Sequence, residues 1–447
     1  MSAVKKSASV SKDLVVGLGA TGLSIARYLR RSGLDAKFVD TRDDPPGMHD
    51  LGAIWPGADV SLGKVSLPRD VDRVIVSPGI ADDHPLLRKA RRAKLEVVSD
   101  IELFAREAQA PFVAITGSNG KSTVTTLLYH MCRAADREVL AGGNLGKPAL
   151  DLLEQEAPDV YVLELSSFQL QRTSTLPAAV AVLLNVSADH LDWHADEEEY
   201  RQSKYRIYRE AKAAVINRAD PVAAEHTRDI ESLISFGLDE PGAGQYGIRR
   251  EDGVDYLARG DTVLLATSEM AMVGLHNQAN ALAALAAGEL LQLDMSAMLQ
   301  VLNEFPGLPH RMQLVARIGA VNFINDSKAT NVAAAVASVQ SVDGMLVLLA
   351  GGEGKGGDYG ELAAALENKL RAAVLIGKDA EVIAAALDTM MPVYFARDMQ
   401  DAVSQAAAYA EADDTVLLAP ACASFDQFEN YAARGDAFRD AVGALSR

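Results

Sequence analysis

The residues best suited to chemistry stand at Thr116 to Thr123, TGSNGKST. Before them, Phe112, Val113, Ala114 and Ile115 form a short apolar run of the kind that becomes a buried parallel strand. After them, Val124, Leu127, Leu128 and Met131 recur at i, i+3, i+4 and i+7, and predict a helix that starts at Lys121 with one apolar face. A strand, a glycine loop and a helix opening on Gly-Lys-Ser make a phosphate-binding loop. Gly117 and Gly120 let the backbone pass close to phosphate oxygens, and N–H groups at the helix start point at the anion. Lys121 would reach the outer phosphates and the Ser122 hydroxyl would ligate Mg²⁺. Position 115 is Ile where the general pattern has Gly, so this loop is shorter. The plain alternative is a glycine turn ahead of an ordinary helix with a solvated lysine. Strand, Gly-Lys-Ser-Thr and amphipathic helix all agree, which favours a nucleotide phosphate.

Other reactive side chains fall at the carboxyl ends of expected strands. Asp159 to Leu165, DVYVLEL, carries Glu164 in an otherwise apolar run. A buried charge needs a partner, and this is the position from which phosphate-loop enzymes reach Mg²⁺. Val180 to Val186 is expected as a strand that leads through Ser187 and Asp189 into His190. A lone histidine is usually a surface imidazole; beside Glu164 and Ser122 on one sheet edge, His190 reads as a metal or substrate residue. The stretch Glu197 to Ala211 reads as a helix on which Lys204 shares a face with Tyr200, Ile207 and Tyr208. Two readings of Lys204 stay open: a lysine snorkelling its head to water, or a partly desolvated amine with enough neutral form to take up CO₂.

A second glycine pattern lies nearer the N-terminus. Leu14 to Val16 predicts a strand, Gly17-Leu-Gly19-Ala20-Thr21-Gly22 a turn, and the residues through Leu29 a helix; the next strand ends at Asp40. This is the dinucleotide fingerprint G-x-G-x-x-G with an acid about 20 residues on. Alone it supports an NAD-dependent dehydrogenase. Its physical content, a helix N-terminus offered to a diphosphate, fits UDP equally, and Thr41-Arg42 adds a cation. Ser77-Pro78-Gly79 follows the strand Val74 to Val76; by itself it reads as a plain turn.

The elements that must carry these groups alternate strand and helix over 447 residues, enough for about three domains. The expected units are 1–98, 99–305 and 306–447, all α/β, with short strands and glycine turns at about 233–273 forming a small β subdomain of the second. Leu275-His-Asn277-Gln-Ala-Asn280 opens an alanine-rich helix to Leu291, and the proline-rich Glu304 to Arg311 is the linker to the third unit. That unit's strands are expected at Val321–Ile324, Leu346–Leu349, Ala373–Ile376, Val393–Phe395 and Val416–Leu418. Their loops hold the polar residues: Asn325 to Asn331, Gly351 to Gly357 and Ala421 to Asp426. Gly351 to Gly357 is not a second phosphate loop, because no Ser or Thr follows Lys355 and no helix follows at once. The net charge of −18 disfavours nucleic acid or an anionic membrane as a partner, and an anionic substrate would need local basic pockets. Cys132 and Cys422 stand apart and outside any metal spacing, which fits a reducing cytosol. Met1 to Lys12 has no apolar core and reads as a disordered tail rather than a signal peptide; no apolar run is long enough to span a bilayer.

Taken together, TGSNGKST, Glu164 in LELSSFQL, His190 in NVSADH, Lys204 in YRQSKYRIY, LPHR at 308–311 and NDSKATN at 325–331 resemble the Mur ligases of peptidoglycan synthesis. GLGATGLS, DTR, SPGI, DIELF, GGNLG and PACASFDQF draw the resemblance toward the branch of that family that adds D-glutamate. It runs from Leu14 to about Phe438, is weakest at the tail and at 237–262, and includes the missing glycine at 115, which is normal there. The resemblance implies a Rossmann-like UDP-substrate domain, a central ATPase-type domain and a Rossmann-like domain for the amino acid. It implies ATP, Mg²⁺ and a carbamate from CO₂ on Lys204 as cofactors. The implied substrates are UDP-MurNAc-L-Ala and D-glutamate, with no nucleic acid or membrane insertion and a monomeric cytoplasmic enzyme. Site roles carry over likewise. Gly117, Ser118, Asn119, Gly120, Lys121, Ser122, Thr123, Asn277, Asn280, Arg311 and Asp326 hold ATP. Ser122, Glu164, His190 and carbamylated Lys204 hold metal. Gly19, Ala20, Thr21, Thr41, Arg42, Ser77, Pro78, Gly79, Asn144 and His190 hold the UDP substrate, and Lys328, Thr330, Lys355, Ser424 and Phe425 hold D-Glu. A non-catalytic nucleotide switch remains a third class. Ligases that add glutamate to folate share the central motif but leave the N-terminal unit unexplained.

Overall fold

In the computed structural model, which describes residues 12–187, 193–194, 196–354, 358–387 and 392–445, the chain forms three α/β units, each on its own sheet. The first sheet is parallel throughout. Its strands are β1 (Lys12–Val16), β2 (Asp35–Asp40), β3 (Asp59–Leu62), β4 (Arg73–Val76) and β5 (Glu96–Val98), in the order β3-β2-β1-β4-β5. The order reverses between β1 and β4, and ligands of such sheets sit outside the carboxyl ends of the strands at that reversal. There the loop after β1, Gly17 to Gly22, meets the loop after β4: Ser77 Oγ donates to the Gly17 carbonyl at 3.0 Å. Gly22 has no room for a side chain, since a Cβ would lie 1.9 Å from the Gly17 oxygen. That close approach brings the helix Ala20–Arg31 back against the strand.

The second sheet has nine strands: β6 (Phe112–Thr116), β7 (Val139–Gly143), β8 (Val160–Glu164), β9 (Val180–Leu183), β10 (Ala213–Asn217), β11 (Ser232–Phe236), β12 (Tyr246–Glu251), β13 (Val254–Arg259) and β14 (Thr262–Ala266). Their order is β14-β13-β12-β11-β10-β9-β6-β8-β7. β6, FVAIT, is buried at every residue and pairs in parallel with both β8 and β9. The small β subdomain is the antiparallel meander β12–β14, which joins the edge of the main sheet where Tyr246 pairs with Phe236. Behind β6 runs the helix Lys121–Ala134, packed against Leu275–Leu290 and Met295–Glu304 through Val124, Leu127, Leu128 and Met131.

Two expected elements are shorter than the sequence suggested. β9 stops at Leu183 instead of Val186; beyond it the backbone of Leu184 and Asn185 still bonds the neighbouring loop, and the Asn185 side chain turns to the phosphate loop. The helix from Glu197 ends at Tyr205 and tightens into a 3₁₀ turn, Arg206–Tyr208, before Ala211. Tyr205, Ile207 and Tyr208 are all buried, and a regular α-helix would point Tyr205 and Ile207 to opposite sides.

The third sheet comprises β15 (Gln313–Ile318), β16 (Val321–Asn325), β17 (Leu346–Gly351), β18 (Leu370–Ile376), β19 (Val393–Phe395) and β20 (Thr415–Leu418), ordered β15-β16-β20-β17-β18-β19. β15 has no counterpart in the sequence reading. It is an antiparallel edge strand turned on Gly319-Ala320, and its mixed, half-exposed residues lack the continuous apolar run of a buried strand.

Candidate functional site

The phosphate loop closes on Gly120, which takes the left-handed conformation at φ +83° and would put a Cβ 2.3 Å from Asn280 Oδ1. Glycine is therefore required twice over at this position. The following helix has no side-chain cap, so the amides of its first turn remain available to an anion. Lys121 folds back over the loop, its Nζ donating to the carbonyls of Gly117 at 2.8 Å and Ser118 at 2.9 Å. Lys204 Nζ reaches the same Gly117 carbonyl at 2.8 Å and lies 4.7 Å from the centre of the Tyr200 ring. Lys204 is 2% exposed, which removes the surface-snorkelling reading.

Glu164, also 2% exposed, ends β8. Its Oε1 accepts from Asn144 Nδ2 at 2.6 Å, while Oε2 is buried with no hydrogen-bond partner. An orphaned carboxylate oxygen is costly, and a hard cation would satisfy it. Ser122 Oγ, on the same rim, accepts from Arg311 Nη2 at 2.9 Å and keeps a lone pair for such an ion. These residues fit Mg²⁺. Among the described residues no three His, Cys, Asp or Glu side chains cluster as a metal site, and His190, the remaining expected ligand, lies outside them.

These groups line a cavity of about 530 Å³ between the second and third units. From the second come Ser118 to Thr123, Asn144, Glu164, Lys204, Asn277 and Asn280; from the third come Arg311, Asp326, Lys328 and Thr330. Asp326 is held by the Met312 N–H at 3.2 Å and by the Ser338 hydroxyl, and burial raises its pKa. Lys328 Nζ lies 4.5 Å from the Tyr431 ring centre. Gly117 acts from behind, through its carbonyl.

The remaining amino-acid residues are not gathered here. Ser424 is buried outside the cavity lining, Phe425 is 70% exposed, and Lys355 lies outside the described residues. The loops that carry them share one anchor. Arg434, buried, donates to the carbonyls of Ser327, Gly351, Cys422 and Ala423.

The first unit's candidates form a separate group. Gly19, Ala20 and Thr21 sit at the open start of Ala20–Arg31, with Ser77, Pro78 and Gly79 across the crevice. Asp40 is 1% exposed and fully engaged: Leu18 N donates at 2.7 Å, and Arg42 donates through N and Nε at 2.9 Å and Nη2 at 2.7 Å. Burial opposes its charge, but the Arg42 and Leu18 bonds outweigh it and hold the pKa at about 2. An acid so occupied is poorly placed to receive a ribose hydroxyl, which weakens the NAD reading. Arg42, expected as a cation for the diphosphate, is committed to Asp40 while half of its side chain faces solvent; Thr41 beside it is exposed.

Two cavity residues escaped the sequence reading. Asn185 grips the phosphate loop, and His276 makes a 2.8 Å bond from Nδ1 to Ser341 Oγ of the third unit. Burial, then Arg311, lowers the His276 pKa to about 4. His276 adjoins Asn277 in the quoted stretch 275–280, and Asn185 opens the quoted NVSADH just past β9; position was the available signal for both.

Family profiles match the chain in three blocks: Mur ligase MurD-like N-terminal domain at 11–99, Mur ligase middle domain at 115–288, and Mur ligase glutamate ligase domain at 310–422. The UDP-N-acetylmuramoylalanine--D-glutamate ligase of Nitrosococcus oceani is 46% identical over 434 residues, 96% of each chain. That of Pseudomonas aeruginosa is 46% identical over 439 residues, 97% of this chain and 98% of the relative. Among solved structures, a pseudomurein peptide ligase type C from Methanothermus fervidus superposes with a TM-score of 0.60 at 20% identity, covering 97% of this chain and 100% of that one. The UDP-N-acetylmuramate-alanine ligase of Thermotoga maritima gives 0.60 at 18%, covering 97% and 99%. At those identities the two structures speak for the fold.

Proposed function

The chain belongs to the Mur ligase family, and from that premise we propose that it joins D-glutamate to UDP-N-acetylmuramoyl-L-alanine at the expense of ATP, in cytoplasmic peptidoglycan precursor synthesis. The observation that carries the reading is the polar cavity in which Lys121, Ser122 and the orphaned Glu164 oxygen of one unit face Arg311, Asp326 and Lys328 of another. Among the described residues no helix is long and apolar enough to cross a membrane.

A free carboxylate is a poor acyl donor because its leaving group would be oxide. The L-alanyl carboxylate oxygen attacks the γ-phosphorus of ATP and ADP leaves, giving an acyl phosphate. The neutral amine of D-Glu then attacks the carbonyl and loses a proton, and the tetrahedral intermediate expels phosphate to form the amide. Phosphoryl transfer needs positioning and charge neutralisation more than covalent catalysis. Lys121 leaves its loop carbonyls for the outer phosphates, and the amides from Gly120 onward cradle them. Ser122 and Glu164 would hold one Mg²⁺, and His190 and carbamylated Lys204 a second; such ions would offset the negative charge gathered by the phosphates. Asn277, Asn280, Arg311 and Asp326 hold the nucleotide. Lys328 and Thr330, with Lys355, Ser424 and Phe425, take D-Glu. Residues 1–98 hold the UDP end, 99–305 the ATP and 306–447 the amino acid.

An ammonium at Lys204 would repel the metal ions, whereas its carbamate would supply oxygen ligands. A ¹³C carbamate signal from labelled bicarbonate, absent in Lys204→Arg, is expected; its absence in the parent would return Lys204 to a plain structural donor. The activity itself is tested by phosphate release with ATP, Mg²⁺ and UDP-MurNAc-L-Ala. Release should depend on D-Glu and stay near background with L-Glu. Release without any amino acid, or with both enantiomers alike, would contradict the reading.

A further inference from the structure

We propose that Asn185 is a positioning residue for the phosphate loop, its carboxamide fixing which backbone amides are left to hold the nucleotide phosphates; this rests on the ATP reading above. β6 and β9 pair in parallel up to Thr116 opposite Leu183. The ladder continues briefly beyond the strands: Leu184 N donates to the Thr116 carbonyl at 3.0 Å, and Ser118 N to the Asn185 carbonyl at 2.9 Å. Past that point the side chain of Asn185 takes over as a substitute peptide group. Its Oδ1 accepts from Asn119 N at 2.8 Å and its Nδ2 donates to the Asn119 carbonyl at 3.0 Å. The orientation of the amide is not arbitrary, because an N–H can only meet the oxygen and a carbonyl only the NH₂.

Two consequences follow for the anion. The amides of Ser118 and Asn119 are spent inside the protein and cannot also bind phosphate. The Asn119 carbonyl and the Gly120 N–H belong to one trans peptide plane and point in opposite directions. The bond from Nδ2 to that carbonyl therefore aims the Gly120 amide away from Asn185, and Gly120 lines the cavity. The neighbouring residue is fixed as well: Ser118 Oγ donates to the Ser187 carbonyl and accepts from its N–H, both at 3.0 Å, with Tyr200 OH at 2.8 Å. A carboxamide of this length is the one side chain that supplies both a donor and an acceptor here. Aspartate would keep the acceptor but set a second anionic oxygen against the Asn119 carbonyl and near the phosphates.

The test is calorimetry of the full chain with AMP-PNP, AMP and UDP-MurNAc-L-Ala, in the parent, Asn185→Ala and the near-isosteric Asn185→Asp. Loss of two backbone hydrogen bonds should weaken AMP-PNP by about ten- to a hundredfold. AMP and the UDP substrate, which do not need the outer-phosphate amides, should change by less than about twofold in Asn185→Ala. Asn185→Asp should weaken AMP-PNP at least as much. Unchanged AMP-PNP affinity in either variant overturns the proposal, as does a parallel loss of all three ligands, which would mark a general structural role. Amide exchange in the ligand-free parent gives a readout that needs no variant: the Asn119 amide should be protected, and fast exchange there would also overturn it. A parent that binds UDP substrate but no AMP-PNP would instead sink the ATP reading, and the proposal with it.

Discussion

The two junctions between the units are built on opposite principles. Where the first meets the second, one apolar core runs without a break from Val15, Phe38 and Ile75 through Phe104 and Tyr161 to Ala223. Charged groups at its edge are paired: Asp151 accepts from Ser24 Oγ at 2.8 Å and from Arg27 at 3.0 Å and 2.5 Å, and buried Arg172 donates to Asp82 at 3.1 Å and to the Ser77 carbonyl at 3.3 Å. Where the second meets the third, no apolar cluster of the described residues crosses; the cores of 113–305 and 312–445 are separate. The contacts there are polar, such as Arg311 to Ser122 and His276 to Ser341, around a cavity. Burying apolar surface welds two bodies, whereas a wet polar seam costs little to open. On the proposed function, substrate positioning would fall to the apolar junction and completion of the reacting site to the polar one, the junction able to move.

The largest expected effect separates the two by ligand. Lys121→Ala should lower turnover by about a thousandfold or more, because it removes the cation proposed to meet the developing phosphate charge. Affinity for the UDP substrate, which the proposed function places across the other junction, should remain within about twofold. Equal loss of both would show that the units are not separate binding bodies. A second effect separates them by stability. Asp151→Ala should cost about 2–3 kcal/mol in denaturant unfolding, since it strands Ser24 and Arg27, whereas His276→Ala at the polar seam should cost under about 1 kcal/mol. The reverse ranking would undo the distinction.

A smaller effect uses pH. Asp100 stands where the chain enters the second unit; Gln169 Nε2 donates to its Oδ2 at 3.3 Å, Oδ1 is unpartnered, and burial raises its pKa to about 6. A raised acid contributes stability below its ordinary value near 4, and loses it as pH rises through about 6. Asp100→Asn should therefore stabilise the chain more at pH 7.5 than at pH 4.5, by about 2 kcal/mol. At the other seam His276, with its pKa lowered to about 4, favours the folded form above its ordinary value near 6.5 and loses that contribution as pH falls through about 4. Acid should thus loosen the movable junction while relieving the rigid one; a pH-independent Asp100→Asn difference would remove half of that contrast.

What could be read in the sequence was local. The phosphate loop, its strand and its helix are consecutive, so their patterns reinforce one another, and Glu164 stood out as one charge in an apolar run. What could not be read depended on distant pairings. Asn119 and Asn185 are 66 residues apart, and Arg434 gathers three loops that the sequence shows only as separate polar stretches. β15 was hidden because an edge strand needs no continuous apolar run. The burial of Lys204 under Gly117 follows from the approach of a helix 87 residues further on, so its two readings could be separated only in three dimensions.

The contrast between the junctions is tested most directly by two distances in one labelled protein. Exposed Arg92, Glu156 and Ser404, one in each unit, are replaced in pairs by spin-labelled cysteine, with the native thiols Cys132 and Cys422 buried. Addition of AMP-PNP, Mg²⁺ and UDP-MurNAc-L-Ala should leave the 92–156 distance unchanged and shift the 156–404 distance by several ångströms. A fixed 156–404 distance, or a shift of both together, would contradict the account.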